Sequence, residues 1–118
     1  MQLNELIGEY NVSGKNQDEE HSSYNGILKL SLDIDNRILA KWRISENQTQ
    51  LGTGFFKNNI LVINFNYITE DKQTYKGVAV YKCVTKDILE GFWSEKHGNP
   101  LFLGEEIAYR IKTTGSLN

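Results

Sequence analysis

Cysteine, proline and methionine each occur once in this chain of 118 residues, and histidine twice. The lone Cys83 has no internal disulfide partner, which agrees with a reducing compartment. Two histidines and one cysteine far apart in sequence make no zinc pattern. Asp33, Asp35 and Asn36 begin like a calcium loop, but Arg37 follows and the glycine and terminal glutamate are missing, so no metal is expected. Gly52-Thr53-Gly54 has no following helix to complete a phosphate-binding turn, and no cofactor is expected. Ser94, Glu95 and His97 are catalytic residue types, but neighbours on a strand point to opposite faces and His97 falls in a turn; no catalytic residue is assigned.

Other absences narrow the class further. No apolar run approaches the roughly 18 to 20 residues of a membrane-spanning helix. The net charge of -2 supplies no whole-protein field for nucleic acid or an anionic membrane, so no nucleic-acid partner is expected. The N-terminus, MQLNELIGEY, lacks a basic segment followed by an apolar one. The expectation is a cytoplasmic protein, with a mature secreted form that has lost its leader as the alternative. Helical periodicity of useful length is also missing.

What is present is alternation with a period of two. It predicts eight strands: Leu6–Ser13, Tyr24–Leu32, Ile38–Ile44, Thr49–Phe56, Ile60–Tyr67, Tyr75–Val84, Ile88–Glu95 and Leu101–Lys112. Most of the connections are short and rich in Asn, Asp and Gly, which favours antiparallel neighbours in chain order. The expected fold is all-β, a single domain over 1–118: an eight-stranded up-and-down meander that closes into a barrel and so removes its edges. A two-sheet sandwich is the alternative.

The later strands are apolar on both faces, so the inward face must be inferred. In the first two strands the apolar face is clear, and it carries Gly8 and Gly26; small inward residues suit a narrow barrel. Extended along the chain, the rule puts Tyr75, Gly77, Ala79, Tyr81 and Cys83 inward, then Leu89, Gly91, Trp93 and Glu95, then Phe102, Gly104, Glu106, Ala108 and Arg110. Val78, Val80, Phe92, Leu101, Leu103, Ile107 and Tyr109 then point outward; the alternative is the inverted assignment, in which these residues are core and Glu106 and Arg110 are solvated. An apolar wall of that breadth predicts a homodimer or homotetramer that buries strands six to eight.

An inward carboxylate loses hydration unless a partner compensates it, which makes Glu106 and Arg110 the leading candidates for reading a ligand's polar group. At four residues' separation on one strand they lie about 13 Å apart and cannot pair directly. Tyr24, Trp42, Tyr81 and Trp93 combine apolar area with polar tips, as the wall of a small-molecule pocket requires. These six residues form the expected ligand site, with a rim carboxylate, a structural arginine and a filled barrel as the competing reading. Glu95, near a strand end, is expected to be exposed.

Gly8-Glu9-Tyr10 on the first strand with Arg110 on the last is similar to the calycin arrangement of lipocalins, fatty-acid-binding proteins and avidins. There a Gly-x-Trp packs against a basic residue of the final strand; here Tyr10 stands at the Trp position. The pieces GEY, Tyr24-Asn25-Gly26, Trp42, Gly52-Thr53-Gly54, Tyr81, LEGFW and Gly104-Glu105-Glu106 also resemble a group of small bacterial barrels of uncertain function. The resemblance implies a lipocalin- or avidin-like fold and a basic side chain stacked on the Tyr10 ring. The functional expectation is a non-enzymatic small-molecule-binding barrel whose ligand the sequence does not identify. The alternatives are an interaction module that works through its outer wall or loops and, as a minor one, an enzyme using Glu106 as acid or base.

Overall fold

The computed structural model describes residues 1–45 and 48–112. A short 3₁₀ turn, Leu3–Leu6, precedes eight strands: β1 (Gly8–Lys15), β2 (Ser23–Leu32), β3 (Ile38–Ile44), β4 (Gln48–Lys57), β5 (Ile60–Ile68), β6 (Thr74–Thr85), β7 (Ile88–Glu95) and β8 (Gly104–Arg110). Each pairs antiparallel with the next, and β8 returns to β1 from Tyr10↔Arg110 through Lys15↔Glu105. That seam closes the barrel and excludes the sandwich.

Local chemistry sets the connections. Between β4 and β5 the chain turns in two residues, Asn58 and Asn59, at φ 51° and 62°. Asparagine tolerates this left-handed conformation, and the resulting turn matches the twist of the flanking strands. Strand eight starts later than the alternation predicts, because Leu101–Leu103 belong to a turn. Asn99 Oδ1 accepts from the Leu101 amide at 2.9 Å, and the Asn99 carbonyl accepts from the Phe102 amide at 3.0 Å. Phe102 therefore does not enter the interior; it is half-buried outside, edge-on to His21 at 6.4 Å between ring centroids. Tyr75 keeps the expected inward parity but lies near the open end of β6, 40% exposed and stacked on Tyr67 at 5.3 Å.

Elsewhere burial follows the glycine-bearing face. Tyr10 and Val12, Leu28 and Leu30, Ile38, Ala40 and Trp42, Leu61, Ile63 and Phe65, Ala79, Tyr81 and Cys83, Leu89, and Glu106 and Ala108 are all buried. Val78, Phe92, Leu101, Leu103, Ile107 and Tyr109 are exposed on the outside, with Val80 half-buried. A barrel of eight strands is just wide enough for side chains to fill it. Here one half is filled mainly by aliphatic residues, and the other holds aromatic rings around the buried Glu106.

The filled half is also sealed. Leu6, fully buried, plugs the end below the start of β1, and its carbonyl accepts from the Tyr10 hydroxyl at 2.8 Å. Arg110 spans the same end. Its guanidinium lies 4.8 Å from the centre of the Tyr10 ring. It donates to the carbonyls of Ile7 (2.8 Å), Lys86 (2.7 Å) and Glu5, to the Tyr10 hydroxyl (2.8 Å) and to Asp87 Oδ1 (3.0 Å). The side chain passes over Gly8, where an added Cβ would meet Nη1 at 2.4 Å. Burial pushes the Tyr10 phenol up to about 12, against the opposing pull of Arg110.

Candidate functional site

The strand registers set one row of residues around the barrel: Tyr24 on β2 is opposite Gly14 on β1, Gly14 opposite Glu106 on β8, Glu106 opposite Gly91 on β7, and Gly91 opposite Tyr81 on β6. The two glycines leave room on either side of the carboxylate, and each tyrosine folds into that room. An added Cβ at Gly14 would lie 2.3 Å from the Tyr24 ring, and one at Gly91 would lie 2.9 Å from the Tyr81 ring. Both hydroxyls thereby reach Glu106: Tyr24 donates to Oε1 at 2.7 Å and Tyr81 donates to Oε2. Trp42 on β3 adds a third donor across the interior, from Nε1 to Oε2 at 3.1 Å. Trp93 on β7 lies over Gly104 and donates to the Tyr24 oxygen at 2.9 Å, which holds that phenol toward the carboxylate.

Glu106 is only 4% exposed, and all three of its partners are neutral. Burial raises its carboxyl above the ordinary range, while the hydrogen bonds from Tyr81, Tyr24 and Trp42 pull the other way. Burial and the facing carboxylate together push Tyr24 and Tyr81 far above the usual phenol range, so both remain hydrogen-bond donors at any ordinary pH. The carboxylate thus has an organised set of donors but no counter-charge among the described residues.

Beside this network a cavity of about 130 Å³ opens toward the end opposite Arg110. Its walls are Tyr24, Trp42, Phe65, Tyr67, Tyr81 and Trp93 with Ile44 and Ala79; Glu106 lies on its inner side; Asn16, Gln48, Gln50 and Glu95 complete the lining. The rings meet edge to face in a chain, Trp42–Phe65 at 6.0 Å, Phe65–Trp93 at 6.2 Å and Trp93–Tyr24 at 6.3 Å. This is a favoured aromatic geometry and gives a stiff wall. Gln17, in the β1–β2 loop, ties the mouth together: its amide donates to Ser94 Oγ and the Asn99 carbonyl, both at 3.0 Å, and its oxygen accepts from the Glu95 amide at 2.9 Å.

Five of the six residues singled out in the sequence therefore meet around one space: Tyr24, Trp42, Tyr81, Trp93 and Glu106. Arg110 does not join them, because the rise of β8 carries it to the sealed end, where protein acceptors surround it. Tyr67, Gln48, Gln50 and Asn16 belong to the cavity without having been assigned to it, and Phe65 joins its wall. Glu95, expected to be exposed, is half-buried and accepts from the Tyr67 hydroxyl, which burial and that interaction together push above its usual range.

No protein-family model matches the chain, and no curated protein matches it. Similarity appears among solved structures. A redesigned β-barrel superposes with a TM-score of 0.72 at 13% identity, covering 93% of this chain and 95% of its own. A redesigned β-barrel, mFAP0, bound to DFHBI, gives 0.67 at 18% identity, covering 92% and 100%. A fluorescence-activating β-barrel designed de novo gives 0.60 at 12% identity, covering 89% and 93%. At such identities the likeness is one of fold: the chain is a closed, eight-stranded, antiparallel up-and-down β-barrel.

Proposed function

We propose that this protein is a non-enzymatic small-molecule-binding barrel, with the aromatic cavity at its open end as the binding site. The observation that carries the reading is a buried carboxylate, oriented by three donors, on the inner side of a cavity walled by rings. Apolar walls with a few fixed polar groups are what a small-ligand site uses. Support for the reading comes from barrels of similar fold whose structures contain bound DFHBI. Size narrows the occupant. About 130 Å³ is close to an engineered cavity of about 150 Å³ that takes benzene, and well below the roughly 300 Å³ where drug-sized pockets begin. The enclosed part of the ligand is a single ring or a short branched group. Kinship with the calycins is proposed on the Tyr10–Arg110 stack, and a cytoplasmic location on the chain's single cysteine.

Native mass spectrometry of gently purified protein tests the reading. The expected result is added non-covalent mass that disappears on denaturation and in the Trp93→Ala, Glu106→Gln double variant. Bare chains, together with no response to a library of single-ring fragments, would defeat it.

A second reading places an interaction surface on the outer wall of β6–β8, where Val78, Phe92, Ile107 and Tyr109 are 39%, 49%, 37% and 50% exposed. We propose a homodimer or homotetramer through this wall, independent of the cavity. Light scattering should give a multiple of the 13.5 kDa chain mass, and Phe92→Glu should reduce it to one chain. A wild-type monomer at high micromolar concentration removes the claim.

A further inference from the structure

We propose that the occupant of this cavity is a small organic cation, an alkylammonium-type group held against Glu106 within the aromatic wall, with Glu95 adding negative charge nearer the mouth. The inference rests on the binding-barrel reading above and adds the chemical class of the ligand.

Charge comes first. Among the described residues the cavity lining contains two carboxylates and no Lys, Arg or His. The ion pairs among the described residues join Arg37 to Asp33 and Asp35, and Arg110 and Lys112 to Asp87; none includes Glu106 or Glu95. The three neutral donors offset part of the hydration that the buried carboxylate has lost, and a cation beside it would offset more. At the other end of the same strand the fold supplies an arginine; at this end it leaves a space beside the acid.

Hydrogen-bonding capacity points the same way. A carboxylate has about four acceptor sites. Oε2 takes the Trp42 and Tyr81 donors, whereas Oε1 takes only Tyr24, so one site on Oε1 remains for a donor. At the mouth Gln50 Nε2 donates to Gln48 Oε1 at 3.2 Å, and the Gln50 amide oxygen adds an acceptor to the lining. An anionic ligand would meet two like charges, and a purely apolar one would leave the acid without a partner.

The walls select the same class. Ring faces carry negative electrostatic potential and attract cations, most strongly when water is excluded. Trp42, Phe65, Trp93 and Tyr24 form the edge-to-face chain described above and line the cavity together with the carboxylates. A cation of four or five heavy atoms suits the volume; an arginine-sized head with its whole side chain does not.

Both tryptophans of the chain, Trp42 and Trp93, line the cavity, so intrinsic fluorescence reads its occupancy. The test is a titration at pH 8 and constant ionic strength with propylammonium and with 1-propanol, a neutral probe of equal heavy-atom count. The expected result is saturable binding of the ammonium at least tenfold tighter than the alcohol. Glu95→Gln and Glu106→Gln should each reduce that preference several-fold while the alcohol response persists. Equal or tighter alcohol binding overturns the cation inference and leaves the binding barrel standing. A response to neither probe overturns both. If Glu106→Gln fails to fold, the wild-type preference and Glu95→Gln decide the matter.

Discussion

Arg110 and Glu106 face the same interior from one strand, yet the barrel treats them in opposite ways. Around Arg110 the backbone converges: carbonyls from before β1 and from the β6–β7 turn, a phenol and an aspartate take its donors, and Leu6 shuts out water. Around Glu106 only side chains converge, all of them uncharged, and an open space lies beside them. A charge matched by its own chain marks structure. A charge given a matched geometry but no opposite charge is the observation on which the proposed binding site rests.

The sharpest way to break this comparison is at the matched end. Arg110→Gln removes the ring contact and leaves the Glu5, Ile7 and Lys86 carbonyls without their donor in a partly buried site. We expect a loss of about 3 kcal/mol, read from urea unfolding. The cavity, at the other end, should keep its ligand response in the folded protein. If Arg110→Gln instead abolishes binding while stability holds, the division into a structural end and a binding end is wrong.

A smaller effect is expected from filling the space that the tyrosines use. Gly14→Ala puts a Cβ at 2.3 Å from the Tyr24 ring and 2.6 Å from the Glu105 carbonyl oxygen, so the ring must move and the carboxylate loses its Oε1 donor. Overpacking of this kind costs about 2 kcal/mol. Because Trp93 donates to the same phenol, its emission should change as well. An unchanged spectrum and an unchanged unfolding midpoint would show that Tyr24 is not held there.

These glycines also explain how much could be read in advance. Alternation with short polar turns was enough for eight strands in meander order, since each strand's partner is its neighbour in sequence. The inward face was legible because the rule set by Gly8 and Gly26 extends to glycines that lie beneath large side chains, Gly91 under Tyr81 and Gly104 under Trp93, whereas Gly14, under Tyr24, lies beyond the end of the first strand that alternation predicts. Height along the barrel was not legible. Parity puts Phe65, Tyr67, Gln48 and Gln50 on the inner face, but their meeting with Glu106 depends on the stagger between strands, which no pattern within one strand encodes. The same blindness grouped Arg110 with Glu106, although their spacing along β8 already forbade contact. Phe102 was misplaced for a different reason: an Asx turn at Asn99, where a side chain competes with the sheet for backbone amides.

The gentlest probe of the two ends is pH. The folded-state carboxyl of Glu106 is raised above its ordinary value of 4.5, chiefly by burial, so the folded protein holds a proton that the unfolded chain has released. The stabilisation is therefore complete below that ordinary value and is lost as pH rises through the raised one. Within that window stability should fall with increasing pH, at up to about 1.4 kcal/mol per pH unit, and level off once Glu106 is ionised in both states. The neighbours do not blur the signal: Tyr24 and Tyr81 stay protonated throughout, and Trp42 does not titrate. Asp87 and Asp18 are shifted downward, so their contributions are lost as pH falls, below the window and with the opposite sign. Comparison with Glu106→Gln, which should flatten the slope, isolates the part that belongs to Glu106. A saturating alkylammonium should flatten it too, by supplying the charge that the barrel omits. If the slope persists unchanged in Glu106→Gln, the proton belongs elsewhere, and the contrast between the two ends of β8 loses its electrostatic basis.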